Sequence, residues 1–288
     1  MTTIKELDTK LKSLKNTQKI TKSMKMVSAS KLRKAHQAQA NAKFYARQLA
    51  AMTSRITASV SSADHPLLMP RKHVANVVIL IITSDKGLCG AFNHNANRMV
   101  AGWIRENRSH HEKIELWCCG KRGFMYFERH DIVKAHYENI TAAPRFADAV
   151  KIGRDLSEAF RNGRCDAAYL SCNQFFNPLV QKTVFEQILP MDPQLLGEKA
   201  GHRSNYIFEP EAQSVLDFLI PHFLYFRIYF ALLENSAGEH GARMTAMDSA
   251  TKNASELIDR HTLIRNRARQ AAITTELTEI IGGAEVLR

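Results

Sequence analysis

Residues 210–283 decide the fold of this chain, and they read PEAQSVLDFLIPHFLYFRIYFALLENSAGEHGARMTAMDSATKNASELIDRHTLIRNRARQAAITTELTEIIGG. The pattern predicts one very long helix. Pro210 suits its first turn, where the missing N–H would have no partner in any case, and the paired glycines Gly282 and Gly283 predict its end. At about 1.5 Å per residue the helix would be roughly 110 Å long, far beyond the ordinary helix of about 11–12 residues. A helix of this length needs a partner along its surface.

The start of the chain, residues 3–61, supplies such a partner. It contains no Gly and no Pro and is rich in residues that favour helix. Apolar and Ala side chains recur in it at spacings of three and four, with a one-residue slip after the fourth: Ile4, Leu7, Leu11, Leu14, Ile20, Met24, Val27, Ala35, Ala38, Ala42, Tyr45, Leu49, Met52 and Ile56. The terminal helix carries a stripe with the same spacing: Leu257, His261, Ile264, Ala268 and Ala271. Because both helices leave the middle of the chain, we expect an antiparallel two-helix coiled coil.

The two helices differ in length, which predicts an uncovered tip. The first would be roughly 85–90 Å long and the second roughly 110 Å. The last turns, from about Ala268 onward, should therefore project past the end of their partner. Those turns carry apolar side chains that the chain itself cannot cover: Ile273, Leu277, Ile280 and Ile281. We expect the tip to sit inside another protein, since an isolated helix of that length is marginal in water; the alternative is a frayed tail.

The middle of the chain has the pattern of a compact α/β domain. Buried-strand runs alternate with helical segments, and the predicted strands are 74–83, 113–119, 132–137, 166–172 and 178–188. The predicted helices between them are 95–107, 121–129 and 145–162. This alternation predicts an α/β layer domain with a largely parallel sheet. The chain then divides into an N-terminal coiled-coil helix (1–61), a central α/β domain (62–209) and a C-terminal coiled-coil helix (210–288).

The net charge of +12 is concentrated in the first helix. Residues 1–61 contain thirteen Lys and Arg against two acids, a balance of +11, whereas residues 210–286 contain seven against ten, a balance of −3. Such a basic helix fits a nucleic acid, an anionic membrane surface or acidic protein partners. A nucleic-acid-binding coiled-coil arm is the alternative function, but only Phe44 and Tyr45 are available there for base stacking.

The chemistry-bearing patterns of enzymes are missing from the sequence. The turn SDKGLCGAFN (84–93) lacks the GxGxxG spacing, so Gly87 and Gly90 more simply permit a tight turn, and the chain has no GxxxxGK[ST], HExxH or GxSxG motif. His110 and His111 lack a companion ligand. The five Cys show no disulfide spacing, which fits free thiols in a reducing compartment. We expect no active site, no cofactor and no metal, no membrane-spanning run, and no leader before the stripe that begins at Ile4.

Four stretches carry a specific resemblance. KNTQKITKSMKMVSASKLRKA (15–35), TSDKGLCGAFN (83–93), ARMTAMDSATKNA (242–254) and NRARQAAITTELTEIIGGA (266–284) resemble the gamma subunit of the F-type ATP synthase. The resemblance covers essentially the whole chain in the right order. It implies the family's fold, an antiparallel coiled coil of the two ends plus an α/β domain.

The resemblance also implies a function. The chain would be a non-catalytic rotating shaft inside a ring of alpha and beta subunits, resting with the epsilon subunit on the membrane rotor ring of c subunits. Proton flow would turn it and drive the catalytic beta subunits through their binding states. The complex would lie peripherally on the cytoplasmic face of a bacterial inner membrane. Nucleic acid is not among the partners implied.

The family pattern assigns contact residues to this chain. It places Met24 beside an acidic loop of beta, and Arg269, Gln270 and Thr274 in a polar grip between shaft and beta. Arg243 and Glu276 lie near that grip. Tyr206 and Glu209 match the segment that faces the rotor ring.

The chain also departs from the family pattern. Lys86 and Ala91 stand where the family often has Arg and Gly. Gly238 and Gly241 replace better helix formers, and together with Pro221 they predict a softer base of the long helix, which Gly241→Ala would stabilise. Residues 189–210 contain no Cys pair, so the thiol switch of chloroplast relatives is not expected.

Overall fold

The fold is described by a computed structural model that covers residues 3–59, 65–192, 209 and 211–286. Packing divides the chain into two compact units. The coil unit comprises residues 1–27 and 244–288, and the sheet unit comprises residues 28–243. The three-part division at 61/62 and 209/210 follows secondary structure rather than packing, and it stays a prediction.

Five helices and five strands make up the described residues. In chain order they are α1 (Ile4–Ser59), β1 (Asn76–Ile82), α2 (Phe92–Asn107), β2 (Lys113–Cys119), α3 (Lys121–Phe127), β3 (Val133–Tyr137), α4 (Phe146–Arg161), β4 (Ala167–Asn177), β5 (Val180–Leu189) and α5 (Ala212–Val286). Both long terminal helices are present, as the sequence predicts.

The end of α5 differs from the prediction. The helix continues through Gly282 and Gly283 to Val286, so the glycine stop is wrong. Glycine lowers helix stability by about 1 kcal/mol relative to Ala, but it does not forbid helical dihedrals. Pro221 lies inside the helix. Pro210, expected in the first turn, falls outside the described residues.

The central sheet is largely parallel, as predicted. Its strand order is β3-β2-β1-β4-β5, with parallel pairing throughout except for the antiparallel β4–β5 hairpin. Alternate residues of β1 enter two different cores. Val78, Leu80 and Ile82 face α4, part of α1 and the base of α5, whereas Val77, Ile79 and Ile81 face α2 and α3. Burial on both faces explains the continuous apolar run in the sequence.

The seam of the coil unit is more polar than predicted. The buried and half-buried positions of α1 keep an unbroken spacing of three and four through Ile4, Leu7, Leu11, Leu14, Gln18, Thr21 and Met24. On α5 they follow the same spacing through Met247, Thr251, Ala254, Ile258, His261, Arg265 and Ala268. The predicted slip does not occur, because the Thr251 hydroxyl donates a 2.8 Å hydrogen bond to that of Thr21 and satisfies both within the seam.

Several predicted seam residues are therefore exposed. Each of them is apolar, so a prediction that looks for apolar side chains places it in the seam even where the observed spacing does not: Ile20, Val27, Tyr45, Met52, Leu257, Ile264 and Ala271. In the sheet unit, Leu49 and Ile56 of α1 are buried as predicted. Apolar side chains outside the seam leave the coil unit with surface that its own chain does not cover.

Gly238 and Gly241 allow close packing in the sheet unit, where the sequence suggested a soft point. A Cβ on Gly238 would lie 2.8 Å from a ring carbon of Phe92. A Cβ on Gly241 would lie 3.2 Å from both the Phe175 ring and the Pro178 Cα. Since backbone cannot yield as a side chain tip can, the expected gain from Gly241→Ala is opposed by this contact.

Part of α5, within Gln213–Ile281, is long and apolar enough to cross a membrane, by length and composition alone. The mean hydropathy of an 18-residue window there is 1.4. The sequence contains no continuous apolar run of that length. Because 56% of the window is buried inside the fold, a core helix accounts for it.

Candidate functional site

The α5 tip, residues 270–281, lies beyond the end of its partner helix. Three pairs fix the antiparallel register of the coil unit: Lys25 with Asp248 (2.5 Å), Thr21 with Thr251 (2.8 Å) and Asp8 with Arg265 (3.4 Å). This register places Ile4, the first residue of α1, opposite residue 269 or so. The prediction of a projecting tip from about Ala268 onward is confirmed.

Large apolar side chains cover the α5 tip and face solvent. Ile273, Leu277, Ile280 and Ile281 are between 47% and 69% exposed. Each buried aliphatic side chain contributes about 1.5–3 kcal/mol when it is removed from water. Four such side chains on one short stretch of helix constitute a strong driving force for association with another molecule.

Four of the residues assigned by resemblance interleave with this apolar surface. Arg269, Gln270, Thr274 and Glu276 are all exposed. Helical spacing places Arg269 and Glu276 on the face of Ile273 and Ile280, since residues three and four apart are neighbours. By the same rule Gln270 and Thr274 adjoin Leu277 and Ile281. The tip thus combines apolar anchors with polar groups that can orient a partner.

The Thr274 hydroxyl is already engaged within the helix. It donates a 2.9 Å hydrogen bond to the carbonyl of Gln270. It therefore meets a partner as an acceptor, whereas the guanidinium of Arg269 is a donor and the carboxylate of Glu276 an acceptor.

Met24 belongs to a different part of the coil unit. It is half-buried and precedes Lys25, whose ammonium pairs with Asp248. By the register it faces residue 249, about 20 residues and roughly 30 Å along α5 from the start of the tip. Met24 and the α5 tip therefore lie on separate parts of the coil unit.

Arg243 is not free to reach outward. Its side chain is only 9% exposed and makes a 2.6 Å ion pair with Glu239. The same guanidinium donates to the carbonyls of Lys86 and Gly87 at 3.0–3.1 Å. Burial raises the pKa of the Glu239 carboxyl, and the neighbouring Arg243 charge opposes that rise. Arg243 braces the β1–α2 loop from inside the sheet unit.

The two residues assigned to the rotor ring divide differently. Glu209 is described and exposed. Tyr206 lies outside the described residues.

The β1–α2 loop is closed to a nucleotide. The Asn93 carboxamide oxygen accepts hydrogen bonds from the Ser84 backbone N–H (2.9 Å) and hydroxyl (3.0 Å), and the Asn235 amide donates to the Thr83 carbonyl (3.2 Å). Side chains of α2 and α5 thus occupy the carboxyl end of β1, where an open α/β sheet would bind its ligand. Gly90 has a φ of +59°, which supports the tight-turn interpretation.

Among the residues that the structure describes, neither the thiols nor the candidate metal ligands form a reactive or metal-binding cluster. All five cysteines are free and buried, and burial raises the pKa of Cys118 and of Cys165 to about 12. Such thiols are weak nucleophiles at neutral pH. Within the ranges that the structure describes, no group of three or more His, Cys, Asp and Glu side chains is placed to hold a metal ion.

Sequence reasoning missed part of this surface. It placed Ile20, Val27, Leu257 and Ile264 in the coiled-coil seam, yet all four are exposed. If the spacing of three and four had been continued from Leu14 through Gln18 and Thr21, Ile20 and Val27 would have been predicted on the exposed side of the coil. Exposed apolar side chains are therefore found along the paired part of the coil as well as on the α5 tip.

Comparison with known proteins gives a consistent result. A family model described as ATP synthase matches residues 3–287. The chain is 42% identical to the ATP synthase gamma chain of Desulforamulus reducens, 41% identical to that of Pelotomaculum thermopropionicum and 40% identical to that of Chlorobium phaeobacteroides, with full coverage of both chains in each case.

Solved structures agree with these relatives. The central stalk of the Tetrahymena thermophila mitochondrial ATP synthase, solved with its c-ring, matches with a TM-score of 0.64 and 27% identity over 80% of this chain and 99% of that one. A chain of the Euglena gracilis mitochondrial ATP synthase matches in fold, with a TM-score of 0.68 over 99% of this chain and 94% of that one, at 20% identity. A projecting helical tip, a closed β1–α2 loop and full-length matches of this kind have one common explanation: the chain belongs to the ATP synthase gamma chain family.

Proposed function

We propose that the chain is the rotating central-stalk subunit of a proton-translocating F-type ATP synthase. It couples rotation of the membrane rotor ring to conformational changes at the catalytic beta subunits. The observation that carries this proposal is the α5 tip, whose apolar side chains extend past α1 with no cover from their own chain. The nucleic-acid-binding alternative is not supported, since the full-length relatives are ATP synthase gamma chains.

The partners follow from this role. The alpha and beta subunits form a ring around the coil, and the epsilon subunit and the c ring lie at the base. We assign Met24, Arg269, Gln270, Thr274 and Glu276 to contact with beta. We assign the exposed Glu209, and Tyr206 before it, to contact with the rotor ring.

Arg243 needs a modified assignment. Its guanidinium is bound to Glu239 and to two loop carbonyls inside the sheet unit. We propose that it serves contact with beta indirectly, by holding the β1–α2 loop in place.

The chain itself is non-catalytic in this proposal and holds no cofactor. Chemistry takes place on the beta subunits, and the shaft transmits work. A proton crossing the membrane supplies roughly 2.3 kcal/mol per 100 mV, so the work of several crossings must pass through the shaft for each ATP. Two long helices wound around each other suit that task because their contacts are local and repeated along the length. The complex lies peripherally on the cytoplasmic face of a bacterial inner membrane.

Substitution of the α5 tip tests the proposal. We expect Ile273→Ser with Leu277→Ser to lower retention of the chain in the purified complex and ATP turnover by at least tenfold, because two anchors lose about 1.5–3 kcal/mol each. Thr275→Ala with Thr278→Ala is the matched control, since both are exposed polar residues of the same turns. Normal retention and turnover in the Ser variant would show that no socket holds the tip.

A further inference from the structure

A second apolar surface lies on the sheet unit, at the turn that joins β4 to β5. We define the hairpin tip as residues 176–180. Phe176 is 62% exposed, Leu179 is 78% exposed and Val180 is 51% exposed. None of these residues belongs to the α5 tip or to the contacts assigned above. Three large apolar side chains on one short turn are more than scattered exposure explains.

The hairpin tip is held in one conformation by its own hydrogen bonds. The Asn177 side-chain oxygen accepts from the N–H groups of Leu179 (2.9 Å) and Val180 (2.8 Å). The Gln181 amide donates to the carbonyls of Asn177 (3.0 Å) and Pro178 (2.9 Å). A rigid turn loses little conformational entropy when it binds, so its apolar side chains are pre-organised for a shaped site.

The opposite face of the hairpin anchors it to the helices. Phe175 makes an edge contact with His36 of α1, with the ring centroids 5.8 Å apart. Gly241 of α5 lies close enough to Phe175 and Pro178 that an added Cβ would be 3.2 Å from each. The hairpin tip is thus fixed to the helix pair, while Leu179 keeps most of its surface in solvent.

The surroundings of the hairpin tip are basic. Residues 28–43 and 173–183 contain no Asp or Glu. They contain Lys31, Arg33, Lys34, Lys43 and Lys182. Lys31 and Lys43 interact with the acids Glu239 and Glu234 of α5, which leaves Arg33, Lys34 and Lys182 as the cations of the rim. Lys182 is exposed and pairs across the hairpin with Gln174, next to the tip. Arg33 precedes His36 by three residues and therefore shares its side of α1.

We propose that the hairpin tip docks into an apolar pocket on an acidic segment of a partner protein. The apolar side chains supply the anchor, and the cationic rim selects a partner of opposite charge and guides its approach. An anionic membrane would also attract basic residues beside apolar ones. The hydrogen-bonded turn favours a protein, because a fluid bilayer gains nothing from a fixed shape.

The proposal rests on the proposed function, since the partner is sought within the assembled complex. It adds a contact made by the sheet unit to the contacts of the coil unit. The proposed function and the docking of the hairpin tip can fail separately. Loss of the α5 tip contact would appear as loss of the chain from the complex, whereas the hairpin tip is tested in a complex that remains intact.

Photocrosslinking from position 179 is the test. Leu179 is replaced by p-benzoylphenylalanine in the full chain, the complex is assembled and irradiated, and the adduct is identified by mass. We expect an adduct with another subunit, at a peptide rich in Asp and Glu. Added Lys182→Gln, or a rise in salt from 50 to 300 mM, should lower its yield several-fold, since screening weakens charge attraction.

Position 125 provides the matched control. Met125 of α3 is 48% exposed, and α3 packs against β2 and β3, at the other edge of the sheet from the hairpin. The same crosslinker at position 125 should therefore yield no such adduct. An intact complex with no adduct from position 179, or with adducts only to lipid or to a second copy of the chain, would overturn the proposal.

Discussion

Glu234 of α5 is a partly buried carboxyl of the sheet unit whose ionisation depends on folding. Burial raises the pKa of its carboxyl to about 7, and the nearby Glu186 adds to the rise, while a hydrogen bond from Gln39 at 3.3 Å and the Lys43 charge oppose it. A carboxyl whose pKa is raised by folding binds its proton more tightly in the folded state. Its contribution is therefore most favourable below about pH 4.5, declines as the pH rises from 4.5 to 7, and stays low above 7.

Replacement of Glu234 should remove this pH dependence. Between pH 5 and 7, the free energy of unfolding of the Glu234→Gln variant should fall by about 1–3 kcal/mol less than that of the unchanged chain. The range allows for partial solvent screening. Urea titrations followed by the fluorescence of Trp103 and Trp117, both in the sheet unit, measure it. The exposed Glu158 provides the control through Glu158→Gln. An unchanged slope in the Glu234 variant would show that this carboxyl is ionised without penalty.

Glycines inside helices show why local propensity is not enough. Gly238→Ala should lower stability by about 1–3 kcal/mol, because overpacking against Phe92 outweighs the helix gain of about 1 kcal/mol. Gly102 of α2 has no atom within 4 Å of an added Cβ, so Gly102→Ala should raise stability by up to about 1 kcal/mol. Thermal melts of the two variants should shift in opposite directions. Equal shifts would mean that the packing at Gly238 yields easily.

Among elements, the sheet could be predicted from the sequence, whereas the seam of the coil could be predicted only in part: Leu7, Leu11 and Leu14 lie in it as expected. β1 is buried on both faces, so its whole run is apolar and its identity as a strand is plain. The seam of α1 contains Gln18 and Thr21, whereas the more apolar Ile20 is exposed. Spacing determines which side chains face the partner helix, and apolarity misleads where apolar side chains such as Ile20 lie on the exposed side.

This distinction predicts unequal effects of two similar changes on α1. Leu11 is 4% exposed in the seam, so Leu11→Ala should cost about 2–4 kcal/mol and lower the melting temperature of the isolated chain. Ile20→Ala should change the free energy of unfolding by less than about 0.5 kcal/mol, as surface substitutions do. Circular dichroism at 222 nm follows both melts. A larger loss for Ile20 would restore the seam that the sequence suggested.

At the scale of the whole molecule, the fold class and the projecting tip could both be predicted. Helix length follows from counting residues, and the difference between the ends of α1 and α5 is a matter of arithmetic. The position of Arg243 could not be predicted, since its loop carbonyl partners lie more than 150 residues away in the chain. Contacts of that kind depend on tertiary packing, which no local pattern encodes.

In the proposed function the chain turns with the rotor ring, while the ring of alpha and beta subunits around the coil stays still. The most direct test fixes the ring of the assembled complex to a surface, attaches a bead to the sheet unit and supplies ATP. We expect rotation in one direction, in three steps per turn set by the three beta subunits. A bead that only fluctuates, in a complex that still hydrolyses ATP, would contradict it.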